Sequence, residues 1–286
     1  MLSRRDALAL GSAALASPSA AAAAVAAGDD PRIAALEARL GGRLGVAALD
    51  LGNGRRLRHR AGERFPMCST FKLMAVAAIL HRVDTACERL DRQVLVDRAD
   101  VVGWAPVTGK HVGQKLSLEA LCAAALDFSD NGAANLILNA LGGPQGVTGY
   151  ARSIGDRVTR LDRRELALNE ATPGDPRDTT TPDATVGNLR KLLVEDRLSP
   201  ASRKRLADWL VADQMGLDRI RAGVPAGWRV GDKTGTGGHN ATNDVAILWP
   251  PGRAPILVAA YSHGSARRIE ARQAALAEVG RIVAAL

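Results

Sequence analysis

The stretch Leu44-Gly45-Val46-Ala47-Ala48-Leu49-Asp50-Leu51, then Gly52-Asn53-Gly54, then Arg55-Arg56-Leu57-Arg58-His59-Arg60, decides the fold. Two runs around a Gly-Asn-Gly turn read as a β-hairpin, because Gly and Asn accept the positive φ that a tight turn demands. A lone hairpin is marginal in water and needs further strands or a covering helix. Upstream, Asp30-Pro31 opens a helix through Ile33, Leu36 and Leu40, which stops at Gly41-Gly42. Asp can cap the free N–H groups, Pro suits the first turn, and Gly suits the exit. The missing strands lie at the other end of the chain, at Trp228–Lys233, Asp244–Trp249 and Ile256–Ser262. A last helix from about Ala266 carries Ile269, Leu276, Val279 and Ile282 on one apolar stripe.

These elements predict an α/β (α+β) protein of two lobes. A five-stranded antiparallel sheet, flanked by the terminal helices, would take residues 28–65 and 212–286. An inserted all-helical lobe would take residues 66–211, which are rich in Ala and Leu. The 286 residues suffice for one large domain or two intimate ones. Hydrophobic content of 47% with 24% charged residues is that of an ordinary globular protein, and aromatics at 3% leave a core of Ala, Leu and Val.

The first residues stand apart from this fold. Ser3-Arg4-Arg5-Asp6 precedes an Ala-rich run from Ala7 to Ala27, broken by Gly11, Ser12 and Ser17-Pro18-Ser19. Paired arginines, a weakly apolar stretch and small residues read as a twin-arginine export signal over residues 1–27, cut between Ala20 and Ala27. The run is too interrupted for a membrane span, which needs about 20 firmly apolar residues. A periplasmic or secreted monomer, free of the membrane after processing, is expected.

The net charge of +8 raises the question of nucleic acid. The basic residues are mostly Arg, spread out and interleaved with acids, so a solvated surface with some attraction for anionic substrates is the better reading. The five histidines show no ligand spacing, and neither a metal nor a cofactor is expected. Cys68, Cys87 and Cys122 are too few for a disulfide scaffold, although two of them could pair in an exported chain.

Three motifs carry chemistry. Ser69-Thr70-Phe71-Lys72 precedes the helical run Leu73–Val83, and a spacing of three puts Ser69 and Lys72 on one face. Ser69 would stand at the helix start, where free N–H groups can hold an oxyanion, and a neighbouring base would make its hydroxyl nucleophilic. Ser129-Asp130-Asn131 is a polar break between the apolar helices Ser117–Phe128 and Gly132–Leu141. Its Ser could relay a proton and its Asn could hold a carbonyl; by itself it is also an ordinary turn. Lys233-Thr234-Gly235, followed by Thr236, lies on an expected strand, where Gly235 leaves room for a ligand beside the backbone.

In that order and with those separations, the three motifs resemble the class A β-lactamases and penicillin-binding proteins. The segment Leu161-Asp162-Arg163-Arg164-Glu165-Leu166-Ala167-Leu168-Asn169-Glu170-Ala171 resembles the omega-loop signature of class A β-lactamases, here over residues 160–180. The resemblance implies hydrolysis of β-lactams. Ser69 would be the nucleophile, Ser129 the proton relay, and Glu165 with Asn169 the holders of the hydrolytic water. Either Lys72 or Glu165 would be the base for acylation. Lys233, Thr234, Gly235, Thr236 and Arg219 would receive the substrate, with Asn131 and an aromatic Trp104 at the cleft mouth. An Arg163–Asp178 ion pair would close the loop, and Thr242 sits where some members carry an arginine. A D-Ala-D-Ala peptidase and a non-hydrolytic β-lactam sensor share the three motifs but lack the loop.

Two departures stand out. Leu166 follows Glu165 where the family commonly has Pro after a cis peptide, a geometry costing about 2.5–4 kcal/mol without proline. Carbapenem-hydrolysing members bridge a cysteine before the nucleophile to one beyond the K-T-G strand. Here Thr236 is followed by Gly237, Gly238 and His239. Cys68 is therefore expected to be a small buried thiol, and carbapenems to form slow acyl-enzymes.

Overall fold

Residues 29–286 are described in this computed structural model of the protein; the expected export signal lies outside them. Helix α1 (Pro31–Leu40) is capped by the Asp30 carboxylate, which accepts from Arg32 N. The hairpin follows as β1 (Arg43–Asp50) and β2 (Arg56–His59). Asp50 helps shape its turn, accepting from Gly52 N at 2.7 Å.

After β3 (Phe65–Pro66), a 3₁₀ turn at Cys68–Thr70 leads into α2 (Phe71–Asp84). Then come β4 (Gln93–Leu95), β5 (Lys115–Ser117), α3 (Leu118–Asp127), α4 (Asn131–Leu141) and α5 (Pro144–Ser153). A long irregular stretch ends in β6 (Thr179–Thr180), followed by α6 (Pro182–Leu193), α7 (Pro200–Val211) and the single turn α8 (Ile220–Gly223). The chain closes with β7 (Arg229–Thr236), β8 (Thr242–Trp249), β9 (Ile256–His263) and α9 (Ile269–Ala284).

The sheet has the order β2-β1-β9-β8-β7, so the N-terminal hairpin pairs with the C-terminal strands through β1 and β9. All its pairings are antiparallel. Alternation along the strands sorts side chains between two cores. Val46, Ala48, Val258 and Ala260 pack with α1 and α9, while Ala47, Leu49, Leu257, Ala259 and Tyr261 face α6 and the core it shares with α2. Helix α2 is buried continuously from Phe71 to Leu80, the signature of a helix surrounded by protein.

Three details differ from the sequence reading. Residues 66–211 are helical for the most part but also contain two-stranded ribbons, β3–β6 and β4–β5. Strands of two or three residues are too short to show a period. β7 runs on to Thr236, past the expected end at Lys233, so that Lys233-Thr234-Gly235 lies on a strand as expected, paired with Val245, Asp244 and Asn243. The last helix begins at Ile269, three residues later than expected.

Candidate active site

Ser69 sits on the 3₁₀ turn that opens α2, and Lys72 follows one turn on. The Lys72 side chain is buried among apolar residues of α2, and oxygens compensate its charge. Nζ donates to Asn131 Oδ1 at 2.7 Å, Ser129 O at 2.8 Å and Ser69 Oγ at 3.0 Å. Ser129 Oγ lies at 3.3 Å and Glu165 Oε1 at 3.0 Å. An ammonium has three N–H donors, and five oxygens surround this one. Burial pulls the Lys72 pKa down, and the Glu165 carboxylate opposes that shift.

The Ser129 break is built by its neighbour. Ser129 adopts a left-handed φ of 55°, and Asp130 caps α4 through Ala133 N at 2.8 Å. The same carboxylate accepts from Val107 N, Thr108 N and Thr108 Oγ1 at 2.8, 2.9 and 2.6 Å. Asp130 thereby ties the Trp104 loop to the α3–α4 turn, and Asn131 N adds a bond to Trp104 O at 2.9 Å. Trp104 itself is exposed, with Nε1 donating to Phe128 O at 2.8 Å. Gly132 is required here, since a Cβ would stand 2.3 Å from Thr108 Oγ1. Asp130 was visible in the motif, but its capping role appears only in the fold.

The loop carrying Glu165 is anchored at its neck. Asp178 accepts from Asp162 N at 2.7 Å, Arg163 N at 2.9 Å and Arg163 Nε at 2.5 Å. Arg163 also reaches Glu170 at 2.5 Å. From α4, Asn135 brackets the Glu165 backbone, accepting from its N–H at 3.2 Å and donating to its carbonyl at 3.3 Å. The Glu165–Leu166 peptide is cis. Asn169 Nδ2 donates to Glu165 Oε2 at 2.5 Å. Asn169 Oδ1 is a buried acceptor without a hydrogen-bond donor among the described residues, and Glu165 Oε1 faces the Lys72 ammonium at 3.0 Å.

β7 forms the facing wall. Gly235 lets it approach the turn that carries Ser69, because a Cβ there would lie 2.7 Å from Met67 O. Asn243, opposite Gly235, donates Nδ2 to Pro66 O at 2.9 Å and Met67 O at 3.1 Å. Beyond the strand, Gly238 N donates to Asn169 O at 2.8 Å, which joins the sheet to the Glu165 loop. A Cβ at Gly237 would stand 2.6 Å from Cys68 Sγ. All three cysteines are free, with Cys68 and Cys122 buried and Cys87 exposed.

Arg219 is locked onto β7, donating to Gly235 O at 2.9 Å, Asn243 O at 2.6 Å and Thr236 Oγ1 at 2.7 Å. Thr242 is instead the acceptor of a second buried arginine, Arg272, at 2.9 Å. Sequence reading missed Arg272, because its stripe position on α9 marks only a helix face. Burial pulls the Lys233 ammonium down to about 8, and Asp213 opposes that shift.

These elements enclose a cleft of about 300 Å³ lined by Ser69, Trp104, Ser129, Asn131, Leu166, Asn169, Met215, Arg219, Thr234, Gly235 and Thr236. Lys72, Glu165 and Lys233 are buried at its base, and Arg163 and Asp178 stand back at the neck of the loop. The cleft therefore joins a hydroxyl and a carboxylate, both held by one buried ammonium, to a cationic wall.

A family model described as the β-lactamase enzyme family matches residues 30–286. β-Lactamase AST-1 of Nocardia asteroides is 48% identical over 89% of this chain and 82% of its own length. β-Lactamase CTX-M-8 of Citrobacter amalonaticus is 46% identical over 88% of this chain and 87% of its own. Among solved structures, an ancestral (GNCA) class A β-lactamase superposes with a TM-score of 0.88 at 60% identity, covering 90% of this chain and 99% of that one. A putative class A β-lactamase from Rhodopseudomonas palustris gives the same TM-score at 52% identity, over 89% and 98% of the two chains.

Proposed function

The chain belongs to the β-lactamase enzyme family, in its class A, and on that premise we propose how its residues open and release a β-lactam ring. The protein hydrolyses β-lactams. The observation that carries the residue assignment is the position of Lys72 Nζ, 3.0 Å from Ser69 Oγ and 3.0 Å from Glu165 Oε1. One buried cation thus links a nucleophile to a carboxylate.

Ser69 Oγ attacks the lactam carbonyl after giving its proton to the Lys72–Glu165 pair. The developing oxyanion takes N–H bonds from Ser69 and Thr236. Ser129, whose Oγ is 3.3 Å from Lys72 Nζ, passes a proton to the leaving nitrogen. Lys233, Thr234, Thr236 and Arg219 receive the substrate carboxylate, while Gly235 gives it room. Asn131 holds the side-chain amide and Trp104 flanks it. Glu165, together with Asn169, whose buried Oδ1 lacks a donor among the described residues, holds the water that Glu165 then deprotonates to attack the acyl-enzyme. Arg163 and Asp178 keep that loop in place.

The peptidase and the non-hydrolytic sensor are not favoured, since neither accounts for the Glu165–Asn169 loop. The residues 28–65 and 212–286 form one lobe and 66–211 the other, with the cleft between them. We further propose export through the Arg4-Arg5 signal and action as a monomer free of the membrane. No helix among the described residues is long and apolar enough to cross one. Changing Arg4 and Arg5 to Lys should leave precursor in the cytoplasm and abolish ampicillin protection; unchanged protection would remove the export assignment. Penicillins and early cephalosporins are the expected substrates, with carbapenems held as slow acyl-enzymes.

The reading is tested with the purified mature chain and a chromogenic cephalosporin, with and without a chelator. Hydrolysis indifferent to the chelator is expected. Zinc-dependent hydrolysis, or none, would overturn it.

A further inference from the structure

Asp213, Asp232 and Asp244 are fully buried, the first two in the field of Lys233 and the third opposite Thr234, and the reaction as described uses none of them. Asp232 has its charge answered, since its Oδ1 accepts from Arg221 Nε at 3.0 Å and Nη2 at 2.5 Å. Asp213 Oδ1 accepts from Met215 N at 3.0 Å. The two other oxygens, Asp213 Oδ2 and Asp232 Oδ2, have no donor among the described residues. They converge on one point: the Cβ that Gly216 lacks would stand 1.6 Å from Asp232 Oδ2 and 3.0 Å from Asp213 Oδ2.

Two buried carboxylate oxygens facing each other repel unless a proton lies between them. Asp232, held by a guanidinium, is the better anion. The proton therefore belongs to Asp213 Oδ2 and is donated to Asp232 Oδ2.

We propose that Asp213 is a positioning residue for the substrate carboxylate: it shares one proton with Asp232 in acid and releases it to water as the pH rises. Its new carboxylate then keeps the neighbouring Lys233 charged. The second half rests on the reading of Lys233 given above. Burial pushes the Asp213 carboxyl up to about 7, with Asp232 adding to the shift and Lys233 opposing it. Burial also brings Lys233 down to about 8, and Asp213 is the foremost group opposing that fall. Below neutrality, then, Asp213 is neutral. Above neutrality its charge opposes proton loss from Lys233.

The other charged groups around the pair act alongside it. Asp127, at the end of α3, is itself pushed up to about 6 by burial and feels Lys233. Asp244, on β8, is raised by burial and by Asp232, while Arg219 opposes the rise. Lys72 and Arg219 both pull Lys233 down. Arg221 completes the set through its pair with Asp232.

The test is the pH dependence of KM for benzylpenicillin, an anion, in the parent and in D213N. Asn can still donate to Asp232 but cannot become an anion. Its alkaline rise in KM should move to lower pH, so that the variant-to-parent KM ratio grows at least about twofold from about pH 6 to about pH 8, the effect of a half-unit fall in a pKa of about 8. A ratio that is constant with pH marks a merely structural role and overturns the proposal, as does a rise moved to higher pH. Should D213N fold poorly, carbon-13 NMR of aspartate-labelled parent enzyme reads the proton directly. The Asp213 carboxyl, assigned through its correlation to the Asp213 backbone amide and so told apart from Asp127 and Asp244, is expected to titrate near neutrality, and its titrating below about pH 5 would overturn the shared proton. In K233A the alkaline rise should vanish. A rise that persists there overturns the role of Lys233, while the carbon-13 signal still reports separately on the Asp213 proton.

Discussion

Lys72 and Glu165 face each other at 3.0 Å with both side chains sealed from solvent. Each stands in the other's field. The carboxylate raises the Lys72 pKa against the pull of burial, so its removal leaves a lysine that sheds its proton more readily. Glu165→Ala should therefore still be acylated by penicillins, because Lys72 remains 3.0 Å from Ser69 Oγ. Deacylation loses its base, and turnover should fall by at least about 10²-fold. Acyl-enzyme would accumulate in intact-mass spectra. Turnover near that of the parent would sink the assignment.

Ser69→Ala should fold, since the hydroxyl is no part of the core, and should take up no penicillin. Intact-mass measurement of the parent after brief exposure should show one adduct, mapped to the Ser69 peptide. A normal adduct on the folded variant would rule out Ser69 as the nucleophile.

Asp178 is almost fully buried and accepts three hydrogen bonds that hold both ends of the Glu165 loop together. Asp178→Ala removes the acceptor of Asp162 N, Arg163 N and Arg163 Nε and leaves the Arg163 guanidinium with Glu170 as its nearest carboxylate, and breaking such a buried pair costs about 3–5 kcal/mol. Urea unfolding should show a loss of this order, and deacylation should slow because Glu165 and Asn169 ride on the loop. A loss under about 1 kcal/mol, the ordinary effect of a point change, would show that the pair does not anchor it.

Burial pushes the Cys68 thiol up to about 12 and raises that of Cys122 as well, whereas Cys87 is exposed. Alkylation proceeds through the thiolate and needs access. Iodoacetamide at about pH 8, just below the free-thiol pKa, should add one group to the folded protein, at Cys87. A second adduct, or a mapped disulfide at Cys68, would contradict the arrangement beside Gly237.

Local patterns determined much of this protein. The Gly52-Asn53-Gly54 turn, the Asp30 cap and the apolar strands at both ends are short-range signals, and they were enough to indicate the sheet. Ser69 and Lys72 were legible because a spacing of three on one helix sets their geometry in advance. Ser129, Glu165 and Lys233 came from motif resemblance, which does not depend on distance in space. Tertiary structure alone decided what depends on meeting across the fold. Asp130 reaches back to Thr108, Asn135 brackets Glu165, Asn243 holds the carbonyls of Pro66 and Met67, and Arg272 crosses from α9 to Thr242. The Asp213–Asp232 pair is of the same kind. One residue precedes β7 and the other lies within it, and nothing in a linear chain announces that their oxygens converge where Gly216 has no side chain. Burial makes such groups matter, because a charge out of water must find its partner inside the protein.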